Sequence, residues 1–500
     1  MTDVRNKMAR GAIWMLLFKL VDRSIGLVST LILARVLAPQ DFGVVAMATS
    51  FIGMLELIGA FGFDTALIQR EHADESHFNT AWTFNVIVNG AIGTLMVVFA
   101  LPISHFFNNP GLVPVVCVLA IGSIAQGFEN IGVVAFRKDM DFRKEFRFLT
   151  AKKLVPFPIT IALAFLLHNY WALVVTMVGG RLFGVWISYQ LHPYRPRFSL
   201  AASGDLLHFS KWLLLVNFLG FLKIRMSDFV VGRVSGAHAL GLFNVSNDLA
   251  NMPGTELVAP INRAVYPAYA RIANDRPALQ REYLYVMGTI SLIAVPAVAG
   301  IAATAALIVP VVLGGKWLEA VGVLQLLAFY GISQVIQSNT YSVYLALGRA
   351  DFFARLNAVH VLALAGALLW LVPARGLMGA AYALLLAAGI MLPITLAMIL
   401  RTLGIGVLRL LAVLWRPIAA AVALFLVVSR FSERFADEPP GALPVGPLLA
   451  AVALGVATYV LAIALFWWLS GRPVGAETSA LGAARQAWER VRSKVSRTAT

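Results

Sequence analysis

Long apolar segments are the feature of this sequence that most restricts its fold. A bilayer core needs about 20 consecutive apolar residues per helix, and fourteen segments approach or exceed that length. They lie at about 11–37, 41–62, 79–103, 111–136, 148–168, 170–191, 208–232, 238–259, 284–309, 320–347, 353–372, 376–400, 407–429 and 446–469. Backbone groups in lipid must be satisfied within the protein, so such segments cross as helices. The sequence therefore predicts an all-α polytopic membrane protein with about 14 transmembrane helices.

Composition argues against a soluble enzyme. Hydrophobic residues make up 59% of the chain and charged residues 13%, whereas soluble domains are about a quarter charged. The one cysteine, Cys117, excludes a disulfide framework. No set of His, Asp and Glu has metal-ligand spacing, and no Gly-rich phosphate loop follows a strand. We therefore predict no metal, no cofactor and no catalytic residue.

The positive charge is distributed unequally between the two sides of the predicted membrane. Of the 40 Lys and Arg residues, 29 fall on the side of the two termini, six on the other side and five within spans. Cytoplasmic loops of membrane proteins are enriched in Lys and Arg. This asymmetry predicts cytoplasmic N- and C-termini, and it accounts for the net charge of +15 without nucleic acid as a partner.

An internal repeat appears when the sequence is shifted by 198 residues. Identical pairs include Trp14 with Trp212, Arg35 with Arg233 and Gly43 with Gly241. Spans 1 and 2 then map onto spans 7 and 8, so the repeat unit is six helices in the same orientation. Repeats of whole helix sets are typical of transporters. We predict two parallel six-helix lobes, 1–200 and 201–403, and two additional transmembrane helices over 404–470.

The segment 471–500 is predicted to be a basic amphipathic cytoplasmic tail. Leu481, Ala484, Trp488, Val491 and Val495 form one helical stripe flanked by basic residues. Such a helix lies on an anionic membrane surface. A disordered basic tail is the alternative.

Five short motifs resemble a known family in their order and spacing. They are ARVLAPQDFG at 34–43, GFDTALIQR at 62–70, RKDMDFR at 137–143, GLFN at 241–244 and Tyr266-Pro267. Over about 1–420 the chain resembles Wzx-type oligosaccharide flippases, which form the polysaccharide transport branch of the MOP superfamily, near the colanic-acid exporter group.

This resemblance implies a central cavity, polar and often cationic, between the two lobes. It also implies flipping of undecaprenyl-pyrophosphate-linked repeat units across the bacterial inner membrane by alternating access, for exopolysaccharide, capsule or O-antigen biosynthesis. The implied partners are the lipid-linked oligosaccharide and membrane lipids, together with a polysaccharide polymerase and a chain-length regulator.

Charged residues inside span 1 are the first candidates for a substrate site. Lys19, Asp22 and Arg23 share one helix face. A charge within the bilayer is costly and normally faces a cavity or a partner. Lys19 and Arg23 outnumber Asp22, so we expect them to line the cavity. The alternative is a Lys19–Asp22 pair that only stabilises helix packing.

Spans 7 and 8 supply further candidates. Arg225 in span 7 either faces the cavity or snorkels to the external surface, and snorkelling is favoured for Lys223. In span 8 a polar stripe follows one helix face, and Asn251 lies on it together with Asp248. The stripe is either the wall of a water-filled cavity or a set of interhelical hydrogen bonds.

Span 10 carries amides and tyrosines on one face: Tyr330, Gln334, Gln337, Tyr341 and Tyr344. Aromatic rings stack on the apolar faces of sugars, and amides hydrogen-bond sugar hydroxyls, so this face suits sugar recognition. Helix packing is the alternative for the whole set. Tyr344 could instead belong to an interfacial aromatic belt.

Carboxylates within spans are candidates for ion or proton coupling. Glu56, Glu129 and Asp248 are expected to stand alone, and burial favours the neutral form of a carboxyl group. Asp22 is added because of its place among the cations of span 1. We expect Arg181 in span 6 to pair with one of these carboxylates.

Two other functions remain open at this point. A multidrug or small-molecule exporter of the related MATE branch would favour twelve spans and an acidic, aromatic cavity. A membrane glycosyltransferase, polymerase or ligase would need catalytic residues on a sizeable external loop, and the loops here are short. The sequence therefore favours a flippase that is not an enzyme.

Overall fold

The computed structural model describes residues 2–58, 63, 67, 68, 70, 74–203, 211–435, 444–479, 481, 482 and 489, and every regular element within them is helical. The chain divides into two compact units, Met1–Gly241 and Leu242–Thr500. Most of the predicted amphipathic tail lies outside the described residues. The predicted lobes, 1–200 and 201–403, stay a prediction, although residues 211–241 pack within the first unit.

The first unit is built from eight helices and the start of a ninth, within the described residues. They are α1 (Thr2–Val36), α2 (Pro39–Ile58), α3 (Glu75–Phe107), α4 (Leu112–Gly127), α5 (Val134–Lys138), α6 (Phe142–Leu154), α7 (Pro156–Leu167), α8 (Trp171–Leu191) and α9 (Lys211–Pro253). One buried cluster surrounds Trp82 and Ile131, and another joins Leu37 to Ala164 and Ala172. These clusters hold α3 to the 3₁₀ turn before α5, and α1 to α7 and α8.

The second unit continues from α9 through a π-helical turn, Gly254–Val258. Its further helices are α10 (Ala259–Arg271), α11 (Arg276–Ile308), α12 (Ala320–Ala346), α13 (Ala350–Leu403), α14 (Val407–Glu433) and α15 (Val445–Leu469). α11 buries many small side chains, including Ala294, Ala299 and Ala302. Small residues let membrane helices approach closely, so α11 can sit at the centre of this unit.

Two long helices are broken at glycines. α9 breaks at Gly236 (φ 81°) and α13 at Gly376 (φ 55°). A positive φ is readily adopted by glycine and costly for other residues. Each break lies between two predicted spans, at 232–238 and 372–376, so α9 and α13 each contain two of the predicted spans.

Eight helical segments of the described residues are long and apolar enough to cross a bilayer, and the bent pair Leu112–Gly127 with Ile131–Lys138 would make a ninth. Each of the fourteen predicted spans overlaps a helix or one half of a broken helix. α1, α2 and α9 are not among the eight, and each carries charged side chains. The chain is thus an all-α, multi-pass membrane protein, and the number fourteen stays a prediction.

Backbone contacts within the first unit follow the 198-residue repeat. A Cβ atom on Gly43 would overlap the carbonyl oxygen of Ala237, and a Cβ atom on Gly241 would overlap that of Pro39. Gly241 lies 198 residues after Gly43, and Ala237 lies 198 residues after Pro39. The two contacts are therefore reciprocal, as expected for two related segments that pack about an approximate twofold axis.

Candidate functional site

The charged face of α1 meets α6 rather than neutralising itself. Asp22 Oδ1 lies 3.0 Å from Lys153 Nζ, and both side chains are substantially exposed. Lys19 is exposed and Arg23 half-buried on the same stretch of α1. The alternative of a Lys19–Asp22 pair is not the pair seen here, because α6 places Lys153 against Asp22. Lys153 is one of the 29 basic residues counted on the side of the termini, and its pairing with Asp22 was not predicted.

Glu56 on α2 pairs with Arg181 on α8. Arg181 Nη2 donates to Glu56 Oε1 at 3.0 Å, and Nη1 donates to Ser123 Oγ at 2.6 Å. The guanidinium group thus connects three helices, α2, α4 and α8. The prediction that Arg181 pairs with one of the intramembrane carboxylates is confirmed. Glu56 is the carboxylate that Arg181 contacts, so it is not a lone carboxylate.

Glu129, at the bend after α4, pairs with Lys152 of α6 at 2.6 Å. The Lys152 ammonium also lies 5.0 Å from the centre of the Phe148 ring. Gly184 on α8 leaves room for this pair, since a Cβ atom there would lie 2.8 Å from Lys152 Cε. Glu129 therefore does not stand alone either, and α6 neutralises carboxylates on two neighbouring elements through adjacent lysines.

Arg225 lies beside a deeply buried carboxylate. Arg225 Nη1 is 3.0 Å from Asp228 Oδ2, and the hydroxyl of Ser50 on α2 donates to the same oxygen at 2.7 Å. Asp228 is 2% exposed, whereas the Arg225 side chain is 41% exposed. Arg225 and Asp228 thus lie on one face of α9, and Ser50 joins that face to α2.

The polar stripe at the end of α9 and in the π-helical turn after it is not covered by other helices of the second unit. Asp248, Thr255 and Glu256 are exposed, and Asn251 is half-buried. The amide of Asn251 donates to the side-chain oxygen of Asn247 at 2.9 Å. Lipid cannot satisfy such a face. These exposures favour the wall of a water-filled cavity over interhelical hydrogen bonds within this unit.

The polar face of α12 is divided between core and surface. Tyr330 is 5% exposed, and its hydroxyl accepts a hydrogen bond from Gln334 Nε2 at 2.7 Å. Gln337 Nε2 donates to Ser333 Oγ at 2.8 Å. Tyr341 is 44% exposed. The Tyr330 ring is thus a packing residue in this conformation, and Tyr341 is the aromatic side chain of this face that a sugar could reach.

Tyr344 is fully buried, which does not fit the alternative placement in an interfacial belt. It belongs to a set of buried tyrosine hydroxyls that contact polar groups on neighbouring helices. The pairs are Tyr344 with Thr402 at 3.3 Å, Tyr269 with Asn339 at 3.2 Å and Tyr283 with Thr340 at 3.5 Å. These contacts join α10, α11 and α13 to the end of α12, and the sequence pattern alone did not indicate them.

The described residues contain no group of three or more His, Cys, Asp or Glu side chains that could hold a metal ion. The candidate site of the first unit is instead a set of ion pairs between helices. Its α1 portion carries more cations than carboxylates in sequence, since Lys19 and Arg23 lie on the same stretch of helix as Asp22, which pairs with Lys153. Lys and Arg in such a place can bind a phosphate-containing group.

Sequence comparison identifies relatives of known role. A family model described as polysaccharide biosynthesis protein matches residues 32–322. The chain is 26% identical to the lipopolysaccharide biosynthesis protein WzxC of Escherichia coli (strain K12), over 71% of this chain and 73% of that protein. It is 24% identical to the succinoglycan biosynthesis transport protein ExoT of Rhizobium meliloti (strain 1021), over 90% and 92% of the two chains.

Solved structures share the fold at low sequence identity. The lipid II flippase MurJ in an inward closed conformation matches with a TM-score of 0.72 and 13% identity, over 90% of this chain and 99% of that chain. An inward-facing MATE multidrug transporter of the MOP superfamily matches with a TM-score of 0.57 and 14% identity, over 77% and 95%. Because the family model covers more than half of the sequence, the chain belongs to the polysaccharide biosynthesis protein family.

Proposed function

We propose that the protein flips undecaprenyl-pyrophosphate-linked oligosaccharide repeat units from the cytoplasmic to the periplasmic leaflet of the bacterial inner membrane. Membership of a polysaccharide biosynthesis family supports this proposal. So do a relative named as a succinoglycan transport protein and a fold shared with a lipid II flippase. The observation that carries it is the cluster of Lys19, Arg23 and the Asp22–Lys153 pair at the predicted span 11–37.

The chemistry of that cluster fits the proposed substrate. A pyrophosphate group must lose its water on entering the protein, so it needs cations and hydrogen-bond donors in return. Lys19, Arg23 and Lys153 supply ammonium and guanidinium donors, and charge-assisted hydrogen bonds to phosphate are among the stronger ones. The exposed Tyr341 and the polar face of α9 would contact the sugars in the second unit.

The unequal distribution of Lys and Arg supports cytoplasmic N- and C-termini. In that orientation Lys153 belongs to the cytoplasmic half of its span, where a lipid-linked substrate enters. Alternating access of the two lobes would then carry the pyrophosphate across. A polysaccharide polymerase and a chain-length regulator would act on the product outside.

Export of drugs or small molecules is the alternative. The MATE structure shares the fold, so the fold does not discriminate between the two functions. An exporter of cationic compounds would be expected to present carboxylates without partners. Asp22, Glu56, Glu129 and Asp228 each have a cation within 3.0 Å. This arrangement favours an anionic substrate.

A deletion strain tests the proposal. Loss of the gene should remove surface polysaccharide and leave lipid-linked repeat units on the cytoplasmic side. Complementation with Arg23→Glu should fail and Arg23→Lys should restore export, because only the second variant keeps a cation there. Drug resistance should be the same in all strains. Normal surface polysaccharide in a deletion strain without a second flippase would contradict the proposal.

A further inference from the structure

α1 and α6 pack side by side along a seam of three contacts. Gly11 lies against the Phe142 ring, and the rings of Trp14 and Phe146 are 4.9 Å apart. The third contact is the Asp22–Lys153 pair, 11 residues beyond the first on both helices. At 1.5 Å per residue the pair stands about 16 Å along the seam from Gly11. The Lys153 ammonium therefore lies beside the middle part of the predicted span 11–37.

The two adjacent lysines of α6 differ in accessibility. Lys152 and Glu129 are 28% and 23% exposed, with Lys152 over the Phe148 ring and against Gly184. Lys153 and Asp22 are 57% and 39% exposed. Lipid does not solvate a charged pair, so a pair this exposed within the predicted span is expected to face water. An anion can therefore reach Lys153 without any rearrangement of the seam.

We propose that Lys153 binds the substrate and that its ammonium group pairs with Asp22 until the substrate binds. This inference rests on the proposed function. A pyrophosphate group carries more negative charge and more acceptor oxygens than a carboxylate, so it can displace Asp22 from the Lys153 ammonium. Lys19 and Arg23, from the same turn of α1, then complete a three-cation site. Asp22 acts as a resident counter-ion that keeps the empty site from carrying the full surplus of positive charge.

The arrangement predicts opposite effects for the two partners of one ion pair. Lys153→Gln removes a donor and should weaken binding of an isoprenyl pyrophosphate by about tenfold, the loss expected for one charge-assisted contact. Asp22→Asn removes the competing anion and should tighten binding several-fold. A pair that only stabilised the α1–α6 seam would give the same effect for both variants, since either substitution breaks it.

The test is a titration of the purified full-length protein in detergent with farnesyl pyrophosphate, using farnesol to subtract the contribution of the apolar chain. Lys144→Gln is the matched control. Lys144 is also 57% exposed and pairs with Asp141 at 3.1 Å, but at the loop end of α6. It should bind like the wild type. Gel filtration and thermal unfolding identify any variant that fails to fold.

Two results would overturn the inference. One is unchanged binding in Lys153→Gln, and the other is weakened binding in both Lys153→Gln and Asp22→Asn. The deletion strain separates this inference from the proposed function. Full complementation by Lys153→Gln in a strain that otherwise lacks surface polysaccharide would remove Lys153 from the site and leave the flippase assignment standing. Normal polysaccharide in the deletion strain would count against the flippase assignment itself.

Discussion

Gly184 shows how one missing side chain creates space for an ion pair inside the first unit. The Lys152 side chain passes 2.8 Å from the position that a Cβ atom at residue 184 would occupy, and reaches Glu129 at 2.6 Å. A larger residue would push the flexible lysine aside rather than distort the backbone. Glu129 would then keep its charge without its cation, which is costly in a partly buried place.

Alanine substitutions at two glycines of α8 should therefore change the stability of the protein in opposite directions. A Cβ atom at Gly179 would have no other atom within 4 Å. Gly179→Ala should therefore raise the free energy of unfolding by about 0.5–1 kcal/mol, because alanine loses less conformational entropy than glycine on folding. Gly184→Ala should be about 1–2 kcal/mol less stable than Gly179→Ala, because the Lys152–Glu129 contact is displaced. Thermal unfolding in detergent measures both, and equal stabilities would contradict the role of Gly184.

At this scale the sequence indicated which charges lie in the membrane but not most of their partners. Arg181 was expected to meet a carboxylate, and it does. Lys152 and Lys153 were counted with the basic residues on the side of the termini, and no carboxylate partner was predicted for either. Which carboxylate each lysine reaches depends on how α6 packs against α1 and α8. That packing joins residues far apart in the chain, so local spacing could not predict it.

Among the helices, the reciprocal glycine contacts hold the connection between α1 and α2 against the broken region of α9. Gly43 and Gly241 each face a backbone carbonyl group with no room for a side chain. The same part of α9 brings Asp228 to Ser50. Backbone atoms cannot move aside as a lysine can, so substitution here should cost more than at Gly184.

Gly43→Ala should lower the free energy of unfolding by about 1–3 kcal/mol, the usual cost of overpacking. Gly220→Ala, on α9 with open space around it, is the control and should be neutral or stabilising. The measurement is denaturant or thermal unfolding of the two variants beside the wild type. A Gly43→Ala protein as stable as the control would mean that the contact is absent in solution.

The helices themselves were largely predictable. Apolar length located every span to within a few residues of a helix, and the breaks at Gly236 and Gly376 fall between predicted spans. The face that a helix buries was harder to predict. Tyr344 and Tyr330 share the polar face of α12 with Tyr341, yet only Tyr341 is exposed. Periodicity identifies a face but not the neighbour that covers it.

For the whole molecule, the sequence indicated an all-α membrane protein and its family. The long apolar helices confirm the first and the family match confirms the second. Within the first unit, α1 and α6 carry the cation-rich face, and within the second unit, α9 and α12 carry exposed or half-buried amide, hydroxyl and carboxylate groups. Cations suit a pyrophosphate and amide and hydroxyl groups suit an oligosaccharide, so the chain carries side chains for both chemical parts of the proposed substrate.

Transbilayer movement of a lipid-linked sugar tests this account most directly. The purified protein is reconstituted into liposomes with a pyrophosphate-linked oligosaccharide lipid that carries a fluorescent sugar, and a membrane-impermeant quencher is then added. We predict that quenching extends beyond the outer-leaflet fraction with the wild type, and stops at that fraction in protein-free vesicles and with Arg23→Glu. Quenching by the wild type equal to that of protein-free vesicles would contradict the account.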